Sequence, residues 1–385
     1  MSESSRSEIG FELRRLLRKV ALWSHRWVGL VGGVFICLMA LSGGIVTFRP
    51  QIANLLSPAA ATGNCVAQVD WNQAGREIEA FGHSKMNRVY APAAPETRYR
   101  IRMMTGSNAI FDHVIYDACA GKVTGTANLG WMDWLVDFHH NLRAEKVGRT
   151  TAGWFGLMLF ISAVGGLIVW LLSSPSVARL LRIRGGILMQ KDLHTTTGVV
   201  AVLLLLTASF TSLWLCFPQT MRSGLEYFTA VPRDARAPRA KKPSGGTPVA
   251  GLGDVMKAAE MALPDGAIRE IRLPEGYGNA QVRMWRQGDF RELGNNVVTV
   301  DGTTAKVLAK SLYENKPTGD RIVQGMAGLH YGEWGGLLFR SVYGLAGFAA
   351  GLLFVTGFLL WWLPKRLAAA RAVKTPAREA MTTAA

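Results

Sequence analysis

Four stretches of the chain, 22–48, 153–172, 194–217 and 335–363, are apolar over about twenty residues or more. At 1.5 Å per residue a helix of that length crosses a hydrocarbon core of ~30 Å. Lipid offers the backbone no hydrogen-bond partners, so only helices or closed barrels span it, and runs this long exceed barrel strands. The pattern therefore predicts four transmembrane helices. Between the first and second, and between the third and fourth, lie two polar segments, 49–149 and 218–334, where the periodicity shortens. After the first span "WNQAGREIEAFG" from Trp71 reads as a helix, "YRIRMM" from Tyr99 as a strand, and "HVIYDACAGKVTG" from His113 as a strand and turn. "LGDVMKAAEMALPDG" from Leu252, "AQVRMW" from Ala280 and "NVVTVDGTTAKVLAK" from Asn296 repeat that order after the third span.

The helices repeat as well. "SHRWVGLVGGVF" from Ser24 and "LHTTTGVVAVLL" from Leu193 each place a glycine four residues after a histidine. The expected fold is a membrane α-helical protein in which helix, α+β module and helix occur twice, as parallel repeats about an axis along the membrane normal. A basic arm (1–21), a connecting loop (173–193) and a tail (364–385) complete it. Within the second module the Pro/Gly-rich basic stretch "RDARAPRAKKPSGGTP", 233–248, reads as an exposed linker.

Charge orients these elements. The arm through Arg26, the middle loop and the tail hold 15 Lys/Arg against 5 Asp/Glu, whereas the two long polar segments hold 27 against 22. By the positive-inside bias both termini and the middle loop are cytoplasmic and both modules lie outside. The net charge of +16 is then topology and lipid contact, and calls for no nucleic acid. A cleaved signal peptide ending near Ala59–Ala61 is the competing account of the first span, but the apolar run is longer than the 7 to 15 residues of a signal core. Cys65 and Cys119 share the first module, where an oxidising compartment permits a disulfide; two buried thiols are the alternative. Cys37 and Cys216 lie in or at the end of spans, and no C-x-x-C spacing occurs.

Four of the seven histidines stand at the ends of the spans: His25 and His194 at the cytoplasmic ends, His139 (or its neighbour His140) and His330 at the outer ends. An ionisable group there is costly and marks function. One pair per face is what two bis-histidine haems stacked across a bilayer need, since two imidazoles fill both axial positions of an iron. Capping of helix ends is the plainer explanation of any one histidine. A closed zinc site would want a cysteine or carboxylate cluster that neither face offers. His83 and His113, in the first module, read as surface or packing residues. Arg340, inside the fourth span, calls for a haem propionate or a water-lined cavity, or else snorkels to the outer interface.

"HRWVGL" after a basic arm, "FHHNL" before the second span, "DLHTTTG" at the third and "GLHYGEWGG" before the fourth together resemble the PepSY-associated transmembrane family over nearly the whole chain. Within it the chain is most similar to the inner-membrane siderophore-iron reductases of the ferrioxamine B type. The resemblance implies four helices with two periplasmic PepSY-like modules and two haem b groups. It also implies reduction of a ferric siderophore in the periplasm, with electrons from a quinol or a cytoplasmic flavoprotein. The family's LH-x-x-L pattern falls on Phe138, His139 and Leu142, which favours His139 over His140. Trp334 and Tyr331, beside His330, would face whatever approaches the outer haem. Two other classes stay open: a membrane binding or regulatory protein that uses its modules to hold a peptide, and a transporter component. Few polar residues at mid-depth argue against the transporter.

Overall fold

The computed structural model describes residues 3–61, 65, 68–104, 113–173, 177–180, 182–231, 238, 240 and 249–382. In chain order the first elements are α1 (Glu3–Val31), α2 (Gly33–Val46), α3 (Arg49–Leu56), α4 (Trp71–Gly82), β1 (Met86–Tyr90), β2 (Arg98–Met103), β3 (His113–Asp117) and β4 (Lys122–Ala127). Next come α5 (Gly130–Asn141), α6 (Glu145–Leu171), α7 (Val177–Leu180), α8 (Ile187–Cys216), α9 (Pro218–Glu226) and α10 (Leu252–Ala262). The chain ends with β5 (Ala267–Arg272), β6 (Asn279–Trp285), β7 (Asn296–Asp301), β8 (Val307–Ser311), α11 (Thr318–His330) and α12 (Gly336–Thr382). They divide into a helical unit, Met1–Thr47, His139–Phe217 and Ser341–Ala385, and a sheet unit, Phe48–Phe138 and Pro218–Arg340.

In the helical unit α6 packs against both α1 and α8. Small residues bring α2 and α12 together: a Cβ built on Gly347 would lie 2.5 Å from the Ala40 carbonyl oxygen, and one on Gly44 2.9 Å from that of Gly344. Close approach of this kind drives helix association where lipid is as apolar as the side chains. Glu145–Leu171, Leu188–Cys216 and Gly336–Ala368 are each long and apolar enough to span a membrane. The first span, expected as one helix over 22–48, is instead two helices bent by 72° at Gly32. Glycines 29, 32 and 33 weaken the helix there, and Gly33 leaves room for the Phe354 ring, which a Cβ would meet at 2.5 Å. The helices run past the spans: residues 3–21 belong to α1, the stretch 173–193 contains α7 and the start of α8, and the helix of the fourth span runs on to Thr382.

In the sheet unit the two halves meet in one sheet. Each half is a helix followed by four antiparallel strands, as α4 with β1–β4 and α10 with β5–β8, but the strands form one eight-stranded sheet in the order β4-β3-β2-β1-β5-β6-β7-β8. The join is the antiparallel pairing of β1 with β5, Val89 opposite Ile271. Alternation on the strands sends Val89, Ile101, Met103, Ile271, Val282, Met284, Val298 and Val300 to one face, where they bury against Ile78 of α4 and Val255, Met256 and Ala259 of α10. Asn72 ties the two helices by hydrogen bonds to Asp254 and the Gly253 amide. Asp70 caps α4 by accepting from the amides of Asn72 and Gln73. Cys65 and Cys119 are disulfide-bonded. Of the linker expected at 233–248 only Pro238 and Ala240 are described, and both hydrogen-bond to Asn279; the rest lies outside the described residues.

Candidate functional site

Three of the histidines singled out above belong to the helical unit and are held in one way. His25 of α1 has Nδ1 2.8 Å from the Ser162 carbonyl oxygen and 3.1 Å from the Ser162 hydroxyl, both on α6. His139 of α5 has Nδ1 2.9 Å from the Met39 carbonyl oxygen and 3.2 Å from the Ser42 hydroxyl, on α2. His194 of α8 has Nδ1 3.0 Å from the Thr356 hydroxyl of α12. A carbonyl oxygen only accepts, so Nδ1 carries the proton in His25 and His139. The Thr356 hydroxyl already donates to the Leu352 carbonyl, 2.7 Å away, so it too accepts from Nδ1. With the proton on Nδ1, a ring in its neutral form keeps its lone pair on Nε2, the tautomer that binds a metal, with the orienting hydrogen bond at the other nitrogen.

A glycine stands against each ring. A Cβ would come within 3.1 Å of Cε1 of His25 at Gly166, within 2.6 Å of Cε1 of His139 at Gly43, and within 3.1 Å of Cε1 of His194 at Gly357. His25 and His194 are brought together, with ring centroids 5.9 Å apart and planes at 71°. Metal–imidazole bonds of about 2 Å on opposite sides of one ion put two ring centres roughly 6 Å apart. Among the described residues no set of three His, Cys, Asp or Glu side chains could hold a bare metal ion. Two imidazoles suffice for a haem iron, whose remaining positions the macrocycle fills. His139 and His140 are neighbours, with ring centroids 5.8 Å apart.

His330 ends α11 in the sheet unit, its ring 6.0 Å from that of Tyr331. The Arg291 guanidinium lies over Tyr331 and pairs with Glu333 at 3.0 Å. Burial nonetheless pushes the Glu333 carboxyl above its usual range. Trp334 packs on Phe290 and is half exposed. Arg340 is 2% exposed. Its guanidinium finds a protein partner, Glu292 at 2.8 Å, together with Gln51 at 3.4 Å. His83 is exposed and left-handed at the end of α4, and His113 is fully enclosed against Asp133, in keeping with surface and packing roles.

The sheet face opposite α4 and α10 was not singled out by sequence reasoning, yet it is polar and dominated by arginine. Arg102, Arg88 and Arg272 stand directly opposite one another on β2, β1 and β5, with His113 of β3 opposite Arg102. Beside them runs a second row, Arg100, Tyr90, Glu270 and Arg283. Burial would raise the Tyr90 phenol, but Arg49, Arg88 and Arg100 outweigh it and lower its pKa. The signal was present in the strands: arginine occupies alternate positions of "RYRIRM", the period of a strand face.

No curated protein is similar enough to count as a match. The PepSY-associated TM region family matches residues 22–363, from the first span through the last, and that extent shows that the chain is a membrane protein belonging to this family.

Proposed function

We propose that the chain is a di-haem b ferric-siderophore reductase of the bacterial inner membrane, passing electrons outward to Fe(III) held by a chelator and releasing Fe(II). The observation that carries this reading is the common anchoring of His25, His194 and His139, each with Nδ1 tied to a carbonyl or hydroxyl of a neighbouring helix and Cε1 against a glycine. In it His25 and His194 hold one haem and His139 and His330 the other; bound there, haem supplies one-electron transfer. Ser162, Thr356, Met39 and Ser42 fix tautomer and ring orientation, the contribution that outer partners make to ligand basicity. Gly166, Gly357 and Gly43 keep side-chain bulk away from the rings. One-electron reduction would loosen a hydroxamate or catecholate chelate, because hard oxygen ligands suit ferric iron better than ferrous. By the Lys/Arg asymmetry both termini are cytoplasmic and the sheet unit periplasmic; the electron donor is a quinol or a flavoprotein, and a ferrioxamine-type hydroxamate is the expected substrate class. The two halves of the sheet unit are then the paired PepSY-like modules.

The experiment is an absorption spectrum and pyridine haemochrome assay of the detergent-purified full chain. The reading requires low-spin spectra and about two non-covalent haems per chain. Gly166→Val should lower the count to about one by pressing on His25, while His140→Ala should leave both. A colourless protein would refute the reading and favour the peptide-binding alternative.

A further inference from the structure

Among the described residues, the arginine face of the sheet unit carries more positive charge than the carboxylates beside it offset: Arg49, Arg88, Arg100, Arg102, Arg272 and Arg283 converge there on Glu270 and Asp133. Glu270, 1% exposed, lies 3.2 Å from each of Arg88, Arg272 and Arg283. Asp133 takes Arg49 at 2.5 Å, Arg102 at 3.4 Å and His113 at 2.9 Å. Among the described residues Arg100 has no carboxylate in ion-pair reach. It lies 4.1 Å over the Tyr90 ring, and its buried Nη1 has no hydrogen-bond partner among the described residues. Burial holds its pKa down to about 10, the mark of a cation short of counter-charge.

Like charges placed directly opposite across strands are destabilising, and here three arginines stand in register. Glu270 and Asp133 offset part of that repulsion, and an anionic ligand would offset more of it. Strands lie about 4.8 Å apart, so the row Arg102, Arg88, Arg272 presents guanidinium groups over roughly 10 Å. One phosphate would not reach along that row. Guanidinium forks pair with carboxylates two bonds at a time. We propose that this face is a binding site for a ligand bearing two or more carboxylates. Two sources share that chemistry: the paired propionates of a haem, and a carboxylate-rich ferric chelate arriving from solution. Only the haem source rests on the reductase reading. The chelate source would make the preferred substrate anionic.

The test uses full-length protein in neutral detergent, with redox-inert gallium(III) citrate as the soluble probe. Titration calorimetry measures its binding, and transfer to excess apomyoglobin measures haem loss. Arg100→Gln and Arg88→Gln are compared with wild type and with Arg76→Gln, on an exposed position of α4. Removing a charge-assisted hydrogen bond should weaken carboxylate binding by about tenfold or more. Weaker citrate binding with unchanged haem loss assigns the site to a soluble chelate; faster haem loss with no citrate binding to wild type assigns it to propionates. Unchanged values for both in folded variants overturn the proposal. If the variants do not fold, wild type decides: salt should weaken citrate binding or speed haem loss, and insensitivity of both overturns it. A preparation without haem would refute the reductase reading while leaving the citrate titration to judge the site.

Discussion

His113 is fully enclosed, and burial lowers its pKa below 6.5 even though Asp133 accepts its hydrogen bond and favours the cation. Folding therefore prefers the neutral ring. Between the depressed folded pKa and the unfolded value near 6.5 the unfolded chain binds more protons, so stability rises with pH across that window. The His113 contribution is complete above pH 6.5 and drains away as pH falls through it. Hydrogen exchange at β3, corrected for intrinsic rates, should report opening that eases steadily below pH 6.5. His113→Gln should flatten that dependence; an unchanged slope would show that another group causes it. The residues legible beforehand were those whose chemistry conflicts with their surroundings. Histidines at the ends of apolar spans announce themselves through the cost of placing them there. Arg340 announced itself too, but its partner Glu292 is 48 positions away in the chain, and no local pattern names it.

At the scale of elements, the spans were legible because about twenty apolar residues in lipid admit one conformation. The bend at Gly32 was not, because a count of apolar residues is blind to helix direction. The strands missed include β1 and β5, which join the two halves. "AIREIR" carries Glu270 and Arg272 on its second face, and "MNRVY" is short, so neither reads as a strand with one apolar and one ordinary polar face. The packing of α2 on α12 also depends on what no periodicity records, the absence of side chains at Gly44 and Gly347. Gly347→Ala should push the Ala40 carbonyl away and cost about 1–3 kcal/mol, as overpacking does. Gly224→Ala is the control, since no described residue lies within 4 Å of its Cβ and alanine favours the helix. Thermal unfolding in detergent should show a lower Tm for the first and an equal or higher one for the second. Equal Tm values for both would mean that the helices separate without cost.

For the whole molecule the question is direction. If electrons enter at the cytoplasmic face and leave at the outer one, the two pairs of histidines are not interchangeable, and removing an imidazole from each has a different consequence. An iron deprived of one axial ligand holds its haem loosely, because non-covalent attachment rests on those bonds and on packing. His194→Ala should therefore lose the haem shared with His25 and retain the other. Dithionite bypasses the natural donor and should still reduce the haem that remains, and added ferric siderophore should reoxidise it at close to the wild-type rate. His139→Ala and His330→Ala should each retain the cytoplasmic haem, reducible by dithionite, yet reoxidation by the same chelate should slow by about tenfold or more, since the step that faces the substrate is gone. Stopped-flow spectra of the three variants separate the cases. Equal slowing in the His194 and His139 variants would show that the outer pair is not the exit, and a slow His194 variant beside a fast His139 variant would reverse the orientation inferred from charge.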